Sequence, residues 1–383
     1  MKQASSSNDH LAGIILLCCA VFSLVLANTG LGDLYARFWS FPVGGFPLSH
    51  WVNDGLMAIF FLLVGLELKH EIIAGELRRP RQALLPVAAA VGGMAVPAAI
   101  YLCFNAGLPT VSGFGIPMST DIAFVIGILA VLGSRVPSSL KVFLTALAVV
   151  DDLGAILVIA LFYTADFNLY FFLGALAVAL ALFLFSRYSR RHHVWFYVAG
   201  GVLLWFLVLE SGIHASITGI LLAAAVPFRQ MGHDGYFSPS SMWVHRLHRP
   251  VYFFVLPLFV LANTALVITS DAFSHLLSPH AVGIMAGLLL GKPLGIFLGA
   301  WLLVRLRWAT LPLSLSWRHV VGGGFLGGIG FTMSIFVTLL SFSSTALVTS
   351  AKLSILLASS LAAGIGAWIL SRSRPTPDQT NPL

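Results

Sequence analysis

Residues 140–163 read LKVFLTALAVVDDLGAILVIALFY, an apolar run with two adjacent aspartates, Asp151 and Asp152, near its middle. A bilayer is crossed by about 20 mostly apolar residues in a helix, so this run is long enough to span one. The rest of the chain has the same character: 58% of its 383 residues are hydrophobic and only 9% are charged. A soluble domain carries roughly a quarter charged residues, enough to coat its surface. Lipid is the solvent that suits this composition, and in lipid a helix satisfies its own backbone. The expected fold class is therefore an all-α membrane protein. The formal net charge of +7 is spread over many short loops. No continuous basic face results, which argues against nucleic acid as a partner. Cys18, Cys19 and Cys103 all lie in apolar runs and are expected as small buried hydrophobes, with no disulfide or zinc pattern.

Working outward from 140–163, twelve candidate spans appear, at 11–29, 51–68, 83–105, 114–133, 140–163, 169–186, 194–209, 212–228, 250–269, 281–304, 320–342 and 347–371. The first run, Leu11 to Ala27, is long for a signal core and has only Lys2 as a positive start, so it reads as a retained helix. The seventh and eighth spans are short and join at a tight turn, Glu210-Ser211-Gly212. Basic residues test the count, because cytoplasmic loops carry an excess of them. With Lys2 inside, eighteen of the twenty-one Lys and Arg fall in inside segments, Arg37 alone falls outside, and Lys292 and Lys352 fall within spans. Both termini are then cytoplasmic. Residues 1–371 form a single transporter domain and 372–383 a short tail in this reading. Outside, the stretch Trp39 to Trp51 is expected to make a small hairpin around Gly44-Gly45.

Asp121, Asp151, Asp152 and Lys292 sit well inside predicted spans. A charge at the centre of a membrane helix costs about 2.5–3.5 kcal/mol. Three acids and one base do not balance, so buried salt bridges alone leave net negative charge in the membrane. Asp151 and Asp152 point about 100° apart on a helix. Like charges in a poorly hydrated place compete for protons, and a hard cation prefers the oxygen of a deprotonated carboxylate. Competition between proton and metal for one site gives exchange. Asp121 follows Gly115-Ile116-Pro117-Met118-Ser119-Thr120, where Pro117 breaks the helical ladder and Ser119 or Thr120 can cap a restart; Asp121 then lies in its first turn and is expected to combine capping with ion chemistry. A second break is expected at 322–330, GGGFLGGIG. Spans 4 and 11 are thus both interrupted, and each lies centrally in its triplet, three to five and ten to twelve. The triplets run in opposite senses, as an inverted repeat. Gly287, Gly291, Gly295 and Gly299 make a smooth face beside Lys292, the natural counter-ion of the acids.

These motifs resemble the NhaA family of bacterial sodium/proton antiporters over essentially the whole chain. The resemblance rests on Ser119-Thr120-Asp121-Ile122-Ala123-Phe124, on the 147–155 run LAVVDDLGA, on Gly291-Lys292-Pro293-Leu294-Gly295, on the 328–334 run GIGFTMS, and on Asp54 through Glu67. It implies secondary active exchange of intracellular sodium, or lithium, for extracellular protons in the inner membrane, by alternating access and electrogenically, with more protons entering than sodium leaving. It implies Asp152 as the ion ligand, Asp151 as a second member of the transported-sodium site and partner of Lys292, and Asp121 and Thr120 as broken-helix residues at the site. No cofactor is implied. The chain departs from the family pattern at Val244, where an acid is common, and at His70, where arginine is common.

Both departures lie in the region associated with pH control. Glu67 and Glu71 share one helix face there, and His245 and His248 share another. Seven histidines fall at the cytoplasmic face: His70, His192, His193, His233, His245, His248 and His319. Most are expected to be solvated and idle, with His245 and His248 the candidates for pH regulation. The outside hairpin near 39–51 is the candidate homodimer contact. A passive cation channel is the alternative function, although a channel more often shows rings of like charge. An intramembrane aspartyl protease would place its two aspartates on separate segments and give Lys292 no role.

Overall fold

The computed structural model describes residues 2–164, 167–188, 194–228, 238–268 and 275–373. Nearly all of them are helical, and the sheet among the described residues is one two-stranded hairpin. Six helices are long and apolar enough to cross a membrane: Ala83–Asn105, Pro109–Leu132, Ser138–Phe162, Leu169–Tyr188, Pro279–Arg305 and Thr345–Arg372. Two bent pairs raise the number to eight: Leu11–Ala27 with Gly32–Ser40, bent by 114°, and Trp317–Gly327 with Phe331–Ser341, bent by 46°. The chain is a multi-pass membrane protein. The other expected spans fall on shorter helices, Met57–Ile73, Val194–Glu210, Thr218–Ala225 and Leu256–Asn263. Two of these follow π-helical turns, Trp51–Leu56 and Val251–Val255, which divide a longer helical run.

Proline sets several helix starts. Pro80, Pro239 and Pro279 take the first helical position, where the missing N–H has no intrahelical partner to lose. By contacts the chain divides into two compact units. One comprises Met1–Leu24, Arg79–Ala155 and Leu266–Leu383, and the other Val25–Arg78 and Ile156–Ala265.

In the first unit the glycine face does what its spacing predicts. Gly291, Gly295 and Gly299 meet Pro97, Gly92 and Ala88 of the helix Pro80–Asn105. A Cβ on Gly295 would fall 2.1 Å from the Gly92 carbonyl oxygen, and one on Gly92 would fall 2.2 Å from that of Gly295. Backbone therefore packs on backbone, the closest approach two helices can make. The π turn Gly287–Gly291 leads directly into Lys292.

The second unit is held by an apolar cluster that includes Leu62, Leu66, Tyr197, Leu222 and Val226. Lys69 closes one end of it. Its Nζ donates to the carbonyls of Ala223, Ala224 and Val226 at 3.3, 2.9 and 2.6 Å. These are carbonyls that the C-terminus of the helix Thr218–Ala225 leaves open, and a cation there also opposes the helix dipole. The expected hairpin pairs Pro42–Val43 with Phe46–Pro47. Gly44 and Gly45 take φ of 60° and 92°, the turn that a two-residue hairpin loop favours. Pro42 faces Pro47, and neither has an N–H to extend the ladder, so the strands stop at two residues.

The cysteines correct an expectation. Cys18 and Cys103 are exposed and Cys19 is half-buried. A membrane protein turns apolar side chains outward as readily as inward, so an apolar run does not place them in a core.

Candidate ion-binding site

The polar chemistry gathers where two helices are broken. The 3-10 helix Pro109–Met118 ends, Ser119 to Asp121 run extended, and the helix Ile122–Leu132 restarts. The cap of that restart is Asp121, in the capping role expected of it, rather than Ser119 or Thr120. Its Oδ1 accepts from the Ala123 and Phe124 N–H groups at 3.2 and 3.4 Å. The second break lies between Trp317–Gly327 and Phe331–Ser341, within the glycine run.

The breaks interlock in the first unit. The Asp121 N–H donates to the Ile329 carbonyl at 2.7 Å. Asp121 Oδ2 accepts from the Thr332 N–H at 3.0 Å and from the Thr332 hydroxyl. One buried carboxylate thus caps the first turns of two helices, whose positive ends both favour an anion. The Ser359 hydroxyl adds to the second cap, accepting from the N–H groups of Gly330 and Phe331 at 3.2 and 3.3 Å.

Extended backbone turns successive side chains to opposite sides, so Thr120 looks away from Asp121. Its hydroxyl lies 2.7 Å from Asp151 Oδ2 and 2.9 Å from the Gly327 carbonyl. Lys292 Nζ lies 2.6 Å from the same carboxylate oxygen and also donates to the Met118 carbonyl. Asp151 and Lys292 are both 0% exposed, and Asp152, one position along the helix Ser138–Phe162, is 4% exposed. The helix ends are used by charge. N-termini surround Asp121, while the C-terminal carbonyls of Met118 and Gly327 meet Lys292 and Thr120.

The available ligands are oxygens of carboxylate, hydroxyl and carbonyl type. Among the described residues no three His, Cys, Asp or Glu side chains converge as a metal cluster would. Asp151 Oδ1 and Ser119 Oγ are buried without a hydrogen-bond partner among the described residues. Such a set suits a hard cation held in transit, with most donors uncharged.

The candidate pH residues lie in the second unit. The helix Pro239–Pro250 packs through Trp243, Val244 and Leu247 on the cluster that includes Leu62 and Leu66. His245 is exposed, while His248 is half-buried with its ring 4.5 Å from that of Tyr252. Glu67 and Glu71 lie on the helix Met57–Ile73, the same helix as Leu62 and Leu66. His192, His193 and His233 fall outside the described residues, as do 374–383 of the expected tail. Against expectation, His319 is a core residue, 1% exposed.

Sequence reasoning missed Ser359 and the carbonyls of Met118, Gly327 and Ile329. A backbone carbonyl leaves no trace in sequence, and Ser359 is one hydroxyl among several in its span. The protease alternative loses ground here. The chain does contain a Gly-x-Gly-Asp tetrad, Gly30-Leu31-Gly32-Asp33. Asp33, however, is exposed in the first turn of the helix Gly32–Ser40, whereas the aspartates at the breaks are buried.

The family model described as Na+/H+ antiporter 1 matches residues 3–370, which include both breaks and Asp121, Asp151, Asp152 and Lys292. The chain belongs to the Na+/H+ antiporter 1 family. Three similar proteins, each named Na(+)/H(+) antiporter NhaA, show how far the likeness extends. One from Dechloromonas aromatica (strain RCB) is 52% identical over 366 residues, covering 95% of this chain and 94% of its own. One from Cytophaga hutchinsonii is 48% identical, covering 97% and 95%. One from Flavobacterium psychrophilum is 49% identical, covering 95% and 94%. Members of the antiporter family thus match this chain at close to full length.

Proposed function

We propose that this chain exchanges intracellular sodium, with lithium as an alternative, for extracellular protons across a bacterial cytoplasmic membrane. The observation that carries the reading is the Asp151–Lys292 pair, sealed from solvent beside Asp152 and the two helix breaks. The family of the chain and the names of its relatives support it.

A carboxylate holds a proton or a hard cation, not both, because the cation needs the lone pairs that the proton takes. Asp152 is the main sodium ligand in this scheme. Asp151, the Thr120 hydroxyl and the oxygens at the breaks supply the rest. Lys292 offsets Asp151 while the site is empty. Asp121 bridges the paired N-termini and keeps the broken backbone in place. Two acids beside one lysine leave room for more than one proton per sodium, and exchange in that ratio is electrogenic.

In the same reading there are twelve spans with both ends in the cytoplasm. Spans 4 and 11 are the interrupted members of an inverted repeat that opens the site alternately to each side. The exposed hairpin at Pro42–Val43 and Phe46–Pro47 is the homodimer contact, and Glu67, Glu71, His245 and His248 set the pH response.

The test is sodium-driven proton movement in sealed vesicles containing the purified protein. An imposed proton gradient should drive sodium uphill, which a passive channel would never do. Asp152→Asn should abolish the exchange while the protein still inserts and folds. Retained exchange in that variant would remove Asp152 from its role.

A further inference from the structure

His319 opens the inner half of the second broken helix, Trp317–Gly327, and it is buried. The Ser316 N–H donates to His319 Nδ1 at 3.1 Å, and the Ser316 hydroxyl lies 2.9 Å from the same nitrogen. This is the reach-back half of a capping box, with histidine where glutamate or glutamine is usual. A backbone N–H can only donate, so Nδ1 must offer a lone pair. The neutral ring therefore carries its proton on Nε2, which is buried without a partner among the described residues.

We propose that His319 is a positioning residue of the transport cycle: its neutral ring caps this half-helix, and protonation releases the cap. An imidazolium has no lone pair, so Nδ1–H would face the Ser316 N–H, donor against donor. The added charge would also sit at the positive end of a helix. The charged groups carried by the neighbouring elements are of one sign. Arg318 is next in the chain. Lys141 lies on Ser138–Phe162, Arg305 ends Lys292–Arg305, Arg372 ends Thr345–Arg372, and Arg135 closes the turn after Ile122–Leu132. All are cations, and no described acid touches the ring.

The sign follows from linkage. A released ring titrates near 6.5, and the capped ring lower. Above about 6.5 both forms are neutral and the cap stands. As the pH falls below that value, the released form takes the proton first, so acid opens the cap. The half-helix ends at Gly327, whose carbonyl meets the Thr120 hydroxyl. Loosening its start therefore loosens one wall of the site. The consequence for transport rests on the antiport reading above, whereas the cap itself does not.

The test is amide hydrogen exchange over residues 317–322 in the purified full chain without sodium, at pH 8 and pH 5, corrected for intrinsic rates. Wild type should lose protection in acid by about fivefold, as for an ordinary helix cap. His319→Gln, whose amide oxygen takes the Ser316 N–H and does not titrate, should show no such loss. In vesicles its activity should persist to lower pH than that of wild type. His319→Lys, a fixed cation, should be poorly protected at both pH values. Equal pH dependence in wild type and His319→Gln would overturn the proposal. Absence of sodium/proton exchange in wild type would sink the antiport reading, and the amide measurement would still decide the cap.

Discussion

Asp121 and Asp151 are both buried aspartates, yet their surroundings give them different work. Asp121 takes donors from two helix starts, which satisfy an anion without a counter-charge. Asp151 shares one oxygen between a lysine and a threonine and keeps the other unpartnered. Lys292 should therefore matter to stability as well as to transport. Lys292→Ala strands Asp151 in a dry interior, and breaking such a pair costs about 3–5 kcal/mol. A clear drop in thermal stability in detergent is expected. Adding Asp151→Asn to that variant should restore part of it, because no charge is then left alone. An unchanged melting temperature in Lys292→Ala would show that the pair contributes nothing.

At the scale of helices, glycine is used for contact rather than for freedom. Gly295 and Gly92 each leave room only for the other's backbone. Gly295→Ala would force the two helices apart, and overpacking of this kind costs about 1–3 kcal/mol. Gly364 lies inside the helix Thr345–Arg372 with nothing within 4 Å of where a Cβ would go. Gly364→Ala should be neutral, or stabilising by up to about 1 kcal/mol from helix propensity. Thermal unfolding of the two variants side by side separates contact from propensity. Equal effects would mean that the close approach of the helices is not energetically important. The broken helices follow a related logic. Loose ends of one break answer those of the other, as where the Asp121 N–H meets the Ile329 carbonyl, and a group so paired needs no partner from lipid.

For the whole molecule, transport should be low in acid and rise towards alkaline pH. Protonated His245 and His248 would be drawn to the acids Glu67 and Glu71, and raising the pH would release them. His245→Ala with His248→Ala should shift the rise along the pH axis without lowering activity at the optimum. An unmoved profile would place the sensor elsewhere, in His319 or in the aspartates themselves. The departure at Val244 bears on this, since its side chain packs on the apolar cluster where an acid would have added charge.

Membership of the membrane class, the helical nature of the chain and the burial of Asp121, Asp151, Asp152 and Lys292 were all legible in the sequence. The reason is that lipid tolerates so few alternatives. A charged residue, a proline or a run of glycines within an apolar stretch is costly there, so each one marks a site of structure or chemistry. Which group answers which was decided by tertiary structure. Asp121 rather than Ser119 became the cap because the chain turns extended just before it. Carbonyls of Met118 and Gly327 became part of the site because two breaks were brought together. His319 left the cytoplasmic surface for the core, and the cysteines turned outward. Apolar character cannot foretell such outcomes, because lipid and protein interior are equally apolar and only packing tells a side chain which of the two it will meet.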